Sequence, residues 1–302
     1  MSDRLQELSV FVRAAETGSF SKTAREFSLS QPSVSRMVSS LEARLGIKLL
    51  LRTTRRVTPT DAGVVFLERA LRVLGDLDEA AHTARGVDSP HGVLRVVMPD
   101  AFGTREVIPR LSGFLARHPR LKVELVISAR TDDLVAEGAD MALRLGRLVD
   151  SGFGARLLAS APRLVIAAPA YLAHRGAPET LADLSQHDCI VGPGLSGRSG
   201  WRFTRAGVVT PVVVEGRVQV ASAEGVMACV SAALGIAVVS RWMCRAELER
   251  GDVRQILPDY ELDPVDVHAL YPEGPRPSPK VRALSDYLAA ELGATTPDPD
   301  RR

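Results

Sequence analysis

The chain has 302 residues, 45% of them hydrophobic, and a formal net charge of +2, the make-up of a soluble globular protein with two or three domains. No apolar run reaches the roughly 20 residues of a membrane span, and the opening MSDRLQELSV carries acids where a signal peptide has its apolar core, so a cytoplasmic protein with no membrane partner is expected. Cys189, Cys229 and Cys244 are widely spaced and odd in number, which argues against a disulfide framework or a zinc site and reads as buried, inert thiols, with a redox-sensing pair as the alternative.

The charge is unevenly placed. Residues 1–60 hold ten Lys/Arg against five acids, a local excess of +5, which leaves −3 for the rest of a chain whose total is +2. A basic module ahead of a mildly acidic body fits one part that meets phosphate and another that does not.

Leu5, Leu8, Phe11, Val12 and Ala15 recur at helical spacing, predicting a first amphipathic helix over Leu5 to Glu16 that Gly18 ends. Ser21 then stands as N-cap of a short helix Lys22–Phe27. After a tight turn, Ser30 can cap a further helix with Pro32 in its first turn and Val34, Val38, Leu41 and Leu45 along one stripe, stopped by Gly46. The opposite face presents Gln31, Pro32, Ser33, Ser35 and Arg36, with Ser39 and Ser40 further along. Small hydroxyls permit close approach, and Gln and Arg suit bidentate contact with adenine and guanine edges, so this is laid out as a recognition helix. Ser21 is placed beside it in the DNA-facing set. Two β-prone pieces around Thr53-Thr54-Arg55-Arg56 predict a hairpin wing whose Arg52, Arg55 and Arg56 meet backbone phosphate or a minor groove.

Four ordered blocks stand in this stretch: Gly18-x-Phe20-x-x-Thr23-Ala24, Ser30-Gln31-Pro32-Ser33-Val34-Ser35, Leu41-Glu42-x-x-Leu45-Gly46 and Arg52-Thr53-Thr54-Arg55. Together they resemble the signature of LysR-type transcriptional regulators, with Leu50 where that signature usually has Phe. The resemblance implies a winged helix-turn-helix that reads double-stranded promoter DNA.

Thr60 is placed to cap a long helix, Asp61 to about Arg85, with Leu67, Leu71, Leu74 and Leu77 at spacings of three and four. So long an apolar stripe needs a partner, either the same helix of a second subunit or the body of its own chain. The resemblance implies the first, a homodimer through this helix, and a homotetramer as the common assembly. Val87 to Gly92 reads as a hinge.

From there apolar strands alternate with helices: Val93–Met98, a helix from Gly103 to about Arg117, Leu121–Ile127, a short helix from Asp132, and Met141–Leu145, a βαβαβ order predicting a mostly parallel sheet. A second set has strands near Leu164–Ala167 and Cys189–Val191, a hairpin through Val208–Val220, a helix Glu224–Ala233 and a strand Ile236–Val239. Strand Val265–Tyr271 and helix Lys280–Leu292 return to the first set. The expected organisation is a reading head at 1–60, a linker helix at 61–87 and an α/β effector-binding domain at 88–302. Its first lobe covers about 92–161 and 265–292, its second about 162–264. Pro99-x-x-Phe102-Gly103, Phe114-x-x-x-His118-Pro119, Asp140-x-Ala142-x-Arg144-x-Gly146 and Pro169-x-Tyr171-Leu172 are similar to markers of the same family, which implies a two-lobed domain like periplasmic solute-binding proteins.

Ligands of such sheets bind outside the carboxyl ends of the strands. That rule selects Asp100, Ala101, Ser128, Thr131, Arg144 and Leu145 on the first lobe and Trp201, Phe203 and Ser222 on the second as contacts for a small-molecule effector. Several have a second reading: Asp100 as a helix cap, Arg144 as an ion pair at the sheet end, Trp201 as core. The six His are scattered, with no H-x-x-x-H pair, no G-x-S-x-G elbow and no phosphate-cradling Gly loop, so neither an enzyme nor a cofactor is expected. A solute receptor built on the same α/β fold would not carry sixty residues of reading head. RNA polymerase is the remaining candidate partner of a regulator of this type.

Overall fold

The computed structural model describes residues 4–52, 56–84, 90–128, 138–148, 152–193, 200–214, 216–272 and 277–293. The chain forms two compact units, Met1–Gly92 and Val93–Arg302.

In the first unit, α1 (Arg4–Thr17), α2 (Phe20–Glu26) and α3 (Gln31–Leu45) close on a core of Val10, Phe11, Ala14, Phe20, Val34, Val38 and Leu41. Helix α2 starts two residues earlier than its sequence suggests. Gly18 adopts the left-handed φ of 63° and turns the chain there, so Ser19, not Ser21, caps α2 by accepting a hydrogen bond from the Lys22 amide at 3.3 Å. Helix α3 follows the expected capping: Ser30 Oγ accepts from the Ser33 amide at 3.2 Å, Pro32 lies in the first turn, and Gly46 at φ 70° ends it. Leu45, expected on the apolar stripe, is 43% exposed, and the slot one turn beyond Val38 is filled by the buried Glu42. The wing is β1 (Leu50–Arg52) antiparallel to β2 (Val57–Pro59), with Arg52 opposite Val57; Thr53, Thr54 and Arg55 lie outside the described residues.

Thr60 caps α4 (Asp61–Ala84) by accepting from the Gly63 amide at 2.9 Å. Gly63 is needed at this crossing, since a Cβ there would stand 1.9 Å from the Leu49 carbonyl oxygen. At 1.5 Å per residue α4 extends about 36 Å. Its leucines divide in a way their spacing does not reveal. Leu67 and Leu74 pack on the core of their own head beside Phe66 and Ala70, whereas Leu71 and Leu77 are 44% and 45% exposed.

The second unit has two lobes. The first holds a five-stranded sheet in the order β4-β3-β5-β15-β6, formed by β3 (Gly92–Met98), β4 (Leu121–Ile127), β5 (Met141–Leu145), β6 (Gly154–Ala161) and β15 (Val265–Tyr271). It is mixed rather than mostly parallel: β3 and β5 run parallel, and β15 is antiparallel to both β5 and β6. Strand β6 was not expected, because Gly154, Ala155, Ala159 and Ala161 give its alternation little contrast. The single helix expected after β3 is segmented. Helix α5 (Asp100–Phe102) passes through a π turn at Gly103–Val107 and a 3-10 turn at Ile108–Arg110 into α6 (Leu111–Arg117). Pro109 has no N–H to continue the α-helical ladder, so the backbone changes register around it.

The second lobe holds the sheet β11-β8-β12-β7-β13, comprising β7 (Arg163–Ala167), β8 (Cys189–Val191), β11 (Val218–Gln219), β12 (Ile236–Ser240) and β13 (Arg254–Ile256). Along β7, Val165 and Ala167 enter one apolar cluster while Leu164 and Ile166 enter another, the period of two that buries both faces of a sheet. A small sheet, β10-β9-β14, adds β9 (Trp201–Arg205), β10 (Val208–Val212) and β14 (Glu261–Leu262). The hairpin expected over Val208–Val220 is therefore displaced. Its turn is Ala206-Gly207, both at positive φ, and Val218–Gln219 pairs instead with β8. Helices α7 (Pro169–Arg175), α8 (Ala223–Ser231), α9 (Arg241–Arg250) and α10 (Pro279–Gly293) complete the unit. The chain leaves the first sheet after Ala161 and re-enters it at Val265; Arg163 ties the two crossings, donating to the carbonyls of Asp263 at 2.6 Å and Pro264 at 3.2 Å.

Candidate nucleic-acid interface and effector site

The outer face of α3 is exposed at Gln31, Pro32 and Arg36 and half-buried at Ser33 and Ser35. These side chains hold one another. Ser21 on α2 donates to Gln31 Oε1 at 3.1 Å, which leaves the Gln31 amide donors free to face outwards, and Arg36 donates to Ser33 Oγ at 3.4 Å. Between α2, α3 and the wing lies a concave recess of about 560 Å3, lined among others by Phe20, Gln31, Ser35, Arg52 and Arg56. Arg52, expected to face phosphate, turns towards α3: its guanidinium donates to Ser35 at 2.7 Å and Ser39 at 2.9 Å and stands 4.9 Å from the centre of the Phe20 ring. Arg56 is exposed on the wing, and Arg55 lies outside the described residues.

Behind this surface two buried carboxylates join its parts. Glu42 accepts from the amides of Leu49 and Leu50, at 2.9 and 3.0 Å, and from Lys48 Nζ at 2.7 Å, pinning the start of the wing to the far end of α3. Burial opposes its ionisation, but the Lys48 and amide hydrogen bonds outweigh it and hold the carboxyl below its ordinary range. Glu7 on α1 plays the same part against α3. Burial again opposes ionisation, and hydrogen bonds from Ser40 and Arg44 carry the balance downwards. Neither acid, nor Phe20, was picked out as functional from the sequence; the signal was the Leu41-Glu42 block itself, an acid inside an otherwise apolar stripe.

On the first lobe of the second unit, Asp100 is exposed in the opening turn of α5. Pro99, not Asp100, is the N-cap, and the Asp100 carboxylate accepts from Thr104 Oγ1 at 3.3 Å. Ala101 packs on an apolar cluster of the second lobe. Ser128 donates its amide to the Met98 carbonyl at 3.0 Å, and Thr131 lies outside the described residues. Arg144 is half-buried at the end of β5, and Leu145 packs on the first-lobe core. Trp201 and Phe203, expected as ligand contacts, are instead covered: at 1% and 0% exposure they lie in the second-lobe core with Tyr171, Leu184 and Cys189. They stand two apart on β9 and so share a face, and that face is the one covered. Ser222 is exposed as the N-cap of α8, its oxygen accepting from the Gly225 amide at 3.1 Å.

Charge pairs between residues far apart in sequence join the lobes, beside one local pair, Glu106 with Arg110 four residues on. Arg105 in the π turn pairs with Glu224 of α8 at 2.7 Å and Glu247 of α9 at 2.9 Å, while buried Glu106 takes Arg110 and Arg245, both at 2.8 Å. Phe102 meets Trp242 edge-on at 5.2 Å. Burial pushes the thiols of Cys189 and Cys244 up to about 12, and Cys229 is only half-covered. Among the described residues no helix is long and apolar enough to cross a membrane, and no cluster of His, Cys, Asp and Glu could hold a metal.

Two families of known proteins match this arrangement: residues 5–64 match the bacterial regulatory helix-turn-helix protein, lysR family, and residues 88–293 the LysR substrate binding domain. The chain is 32% identical over 296 residues to the HTH-type transcriptional activator AaeR of Escherichia coli, covering 96% of each. It is 34% identical over 292 residues to the regulator PtxR of Pseudomonas aeruginosa, covering 96% of this chain and 93% of that protein. Its fold is similar to that of CrgA, a LysR-type regulator from Neisseria meningitidis, at a TM-score of 0.61 and 31% identity, covering 95% of this chain and 98% of CrgA. The full-length Vibrio cholerae virulence activator AphB matches at 0.58 and 27%, covering 95% and 98%. With a helix-turn-helix head, a two-lobed α/β unit and relatives along nearly its whole length, the chain belongs to the LysR family of transcriptional regulators, proteins that bind promoter DNA and whose second domain binds a small-molecule effector.

Proposed function

We propose that bases are read by the N-terminal half of α3, with Gln31, Pro32, Ser33, Ser35 and Arg36 entering the major groove, Ser21 holding Gln31, and Arg55 and Arg56 of the wing meeting phosphate. The observation that carries this reading is the exposed row of preset polar side chains on α3, with Gln31 and Arg36 each hydrogen-bonded to a neighbouring serine. Residues 1–60 act as the reading head. Residues 61–87 join two copies through the exposed Leu71 and Leu77 side of α4, and residues 88–302 bind the effector. The protein works as a cytoplasmic homodimer that pairs into a tetramer, contacts RNA polymerase at the promoter and catalyses no reaction of its own. Arg36→Ala should weaken binding to a duplex selected by the full chain by about 1–3 kcal/mol and relax its base preference. Arg56→Ala should weaken selected and scrambled duplexes alike. Equal losses for Arg36→Ala on both duplexes, read by gel shift, would count against a base-reading α3.

For the effector, the exposed Asp100 carboxylate and the Ser222 hydroxyl are the polar groups of the two lobes that remain from the expected set, together with Ser128, Arg144 and Thr131, the last outside the described residues. An ionised Asp accepts hydrogen bonds and cannot donate them, which favours an amine- or hydroxyl-bearing ligand over a simple dicarboxylate. Thermal-shift ranking of acids, amines and sugars should move towards acids in Asp100→Ser, and an identical ranking would remove Asp100 from the site.

A further inference from the structure

We infer that Arg52 is a positioning residue for DNA reading: it locks the wing to the recognition helix and orients Ser35, and it is not a phosphate contact. The inference rests on the reading of α3 as the base-reading helix. Arg52 is the last residue of β1, yet its side chain contacts α3 at two successive turns, Ser35 at 2.7 Å and Ser39 at 2.9 Å. These serines are four residues apart and therefore stack on one face of the helix. The guanidinium also covers Phe20 of α2 at 4.9 Å from the ring centre and comes within 3.9 Å of the buried Glu42 carboxylate. One planar fork thus joins β1, α2 and α3, and the Glu42 bonds to the Leu49 and Leu50 amides fix the same strand from its other end.

The chemistry follows from the direction of the bonds. Arginine only donates, so both serine oxygens are acceptors here, and each serine keeps its own O–H to give away. A free serine rotor is thereby turned into an aimed donor, strengthened by the charge behind it. Ser35 faces the recess with Gln31 and Pro32, where an acceptor on a base edge or a phosphate would receive that proton. Lysine cannot replace the fork: it keeps the charge but offers a compact ammonium with no plane to lay on Phe20 while spanning two serines.

The test uses the full-length protein, a duplex it selects from a random library, and a scrambled duplex of equal length. Arg52→Lys is expected to lower affinity for the selected duplex about tenfold, with the slope of log affinity against log salt retained because the charge count is unchanged. Ser39→Ala should lower selected-duplex affinity several-fold, and the double variant should be no weaker than Arg52→Lys alone, the signature of one shared interaction. Thermal unfolding of each variant shows that the head is folded. Full rescue by lysine, together with a slope reduced by about 0.9 and parallel losses on both duplexes in Arg52→Ala, would overturn the proposal and make Arg52 a phosphate contact. Independent effects of the two substitutions would overturn it as well. Failure of the underlying reading looks different: Gln31→Ala and Arg36→Ala would then leave the preference for the selected duplex intact.

Discussion

Glu42 in the reading head and Glu106 in the effector unit are both almost fully covered and both touch cations, yet their acidities move in opposite directions. Burial works against the charge in each. In Glu42 the hydrogen bonds from Lys48 and the backbone amides of Leu50 and Leu49 prevail. In Glu106 burial prevails over Arg245 and Arg110 and raises the carboxyl, because it lies deeper, within the helices that join two lobes. The head spends its buried charge on holding one surface still with fixed amides. The effector unit places its buried charge between elements of its two lobes, on Arg245 of α9.

The largest effect should come from breaking the deeper site. Glu106→Ala leaves the Arg110 and Arg245 guanidiniums without their shared acceptor and should cost about 3–5 kcal/mol in denaturant unfolding, without changing DNA base preference in protein that remains folded. Glu42→Ala strands the Leu49 and Leu50 amides and should cost about 2–3 kcal/mol, with a loss of specific DNA binding that Glu106→Ala does not share. If both variants damage base preference equally, the two regions are not independent in the way the comparison requires.

A smaller effect sharpens the same contrast through pH. Glu42 has a folded acidity below the ordinary value of 4.5, so its contribution is present above 4.5 and lost as pH falls through the folded value. Glu106 has a folded value above 4.5, so its contribution is present below 4.5 and withdrawn as pH rises through the folded value. The stability penalty of Glu42→Gln should therefore grow between pH 4 and pH 7, whereas that of Glu106→Gln should shrink. Parallel pH profiles from thermal melts would contradict the assignment. The smallest expected change is at Ser222, where loss of the α8 cap in Ser222→Ala should cost about 1 kcal/mol and Ser222→Gly only a few tenths. A ligand response lost in both, at unchanged stability in Ser222→Gly, would mark the hydroxyl as an effector contact as well as a cap.

The head was the more legible region because its elements are set by neighbours in sequence. Val34, Val38 and Leu41 at helical spacing, Ser30 before them and Gly46 after them suffice for α3. Even there the cap of α2 moved from Ser21 to Ser19, since the left-handed turn at Gly18 sets the start of the helix and no side-chain pattern shows it. In the second unit no strand was expected over β9, and the choice of Trp201 and Phe203 as ligand contacts missed their facing. Period two says that Trp201 and Phe203 point the same way; which way depends on what packs there, and it is Tyr171 and Leu184. Strand β6 was missed because small residues blur its alternation, and the hairpin was displaced because Ala206-Gly207 is a weak turn signal beside the Val-rich run that follows.

What the amino-acid sequence determined by itself is the order of elements, the helix α3 with its polar face, the long helix behind it and the family to which they belong, because periodicity, caps and glycine turns act over a few residues. What only the tertiary structure decided is the partner of each charge and the facing of each strand. Arg52 could have pointed outwards or on to Ser35, 17 residues away, and Arg105 finds Glu247 across 142 residues. Those choices are made when whole elements pack, because a guanidinium or carboxylate that loses water must be paired by whatever the fold brings beside it.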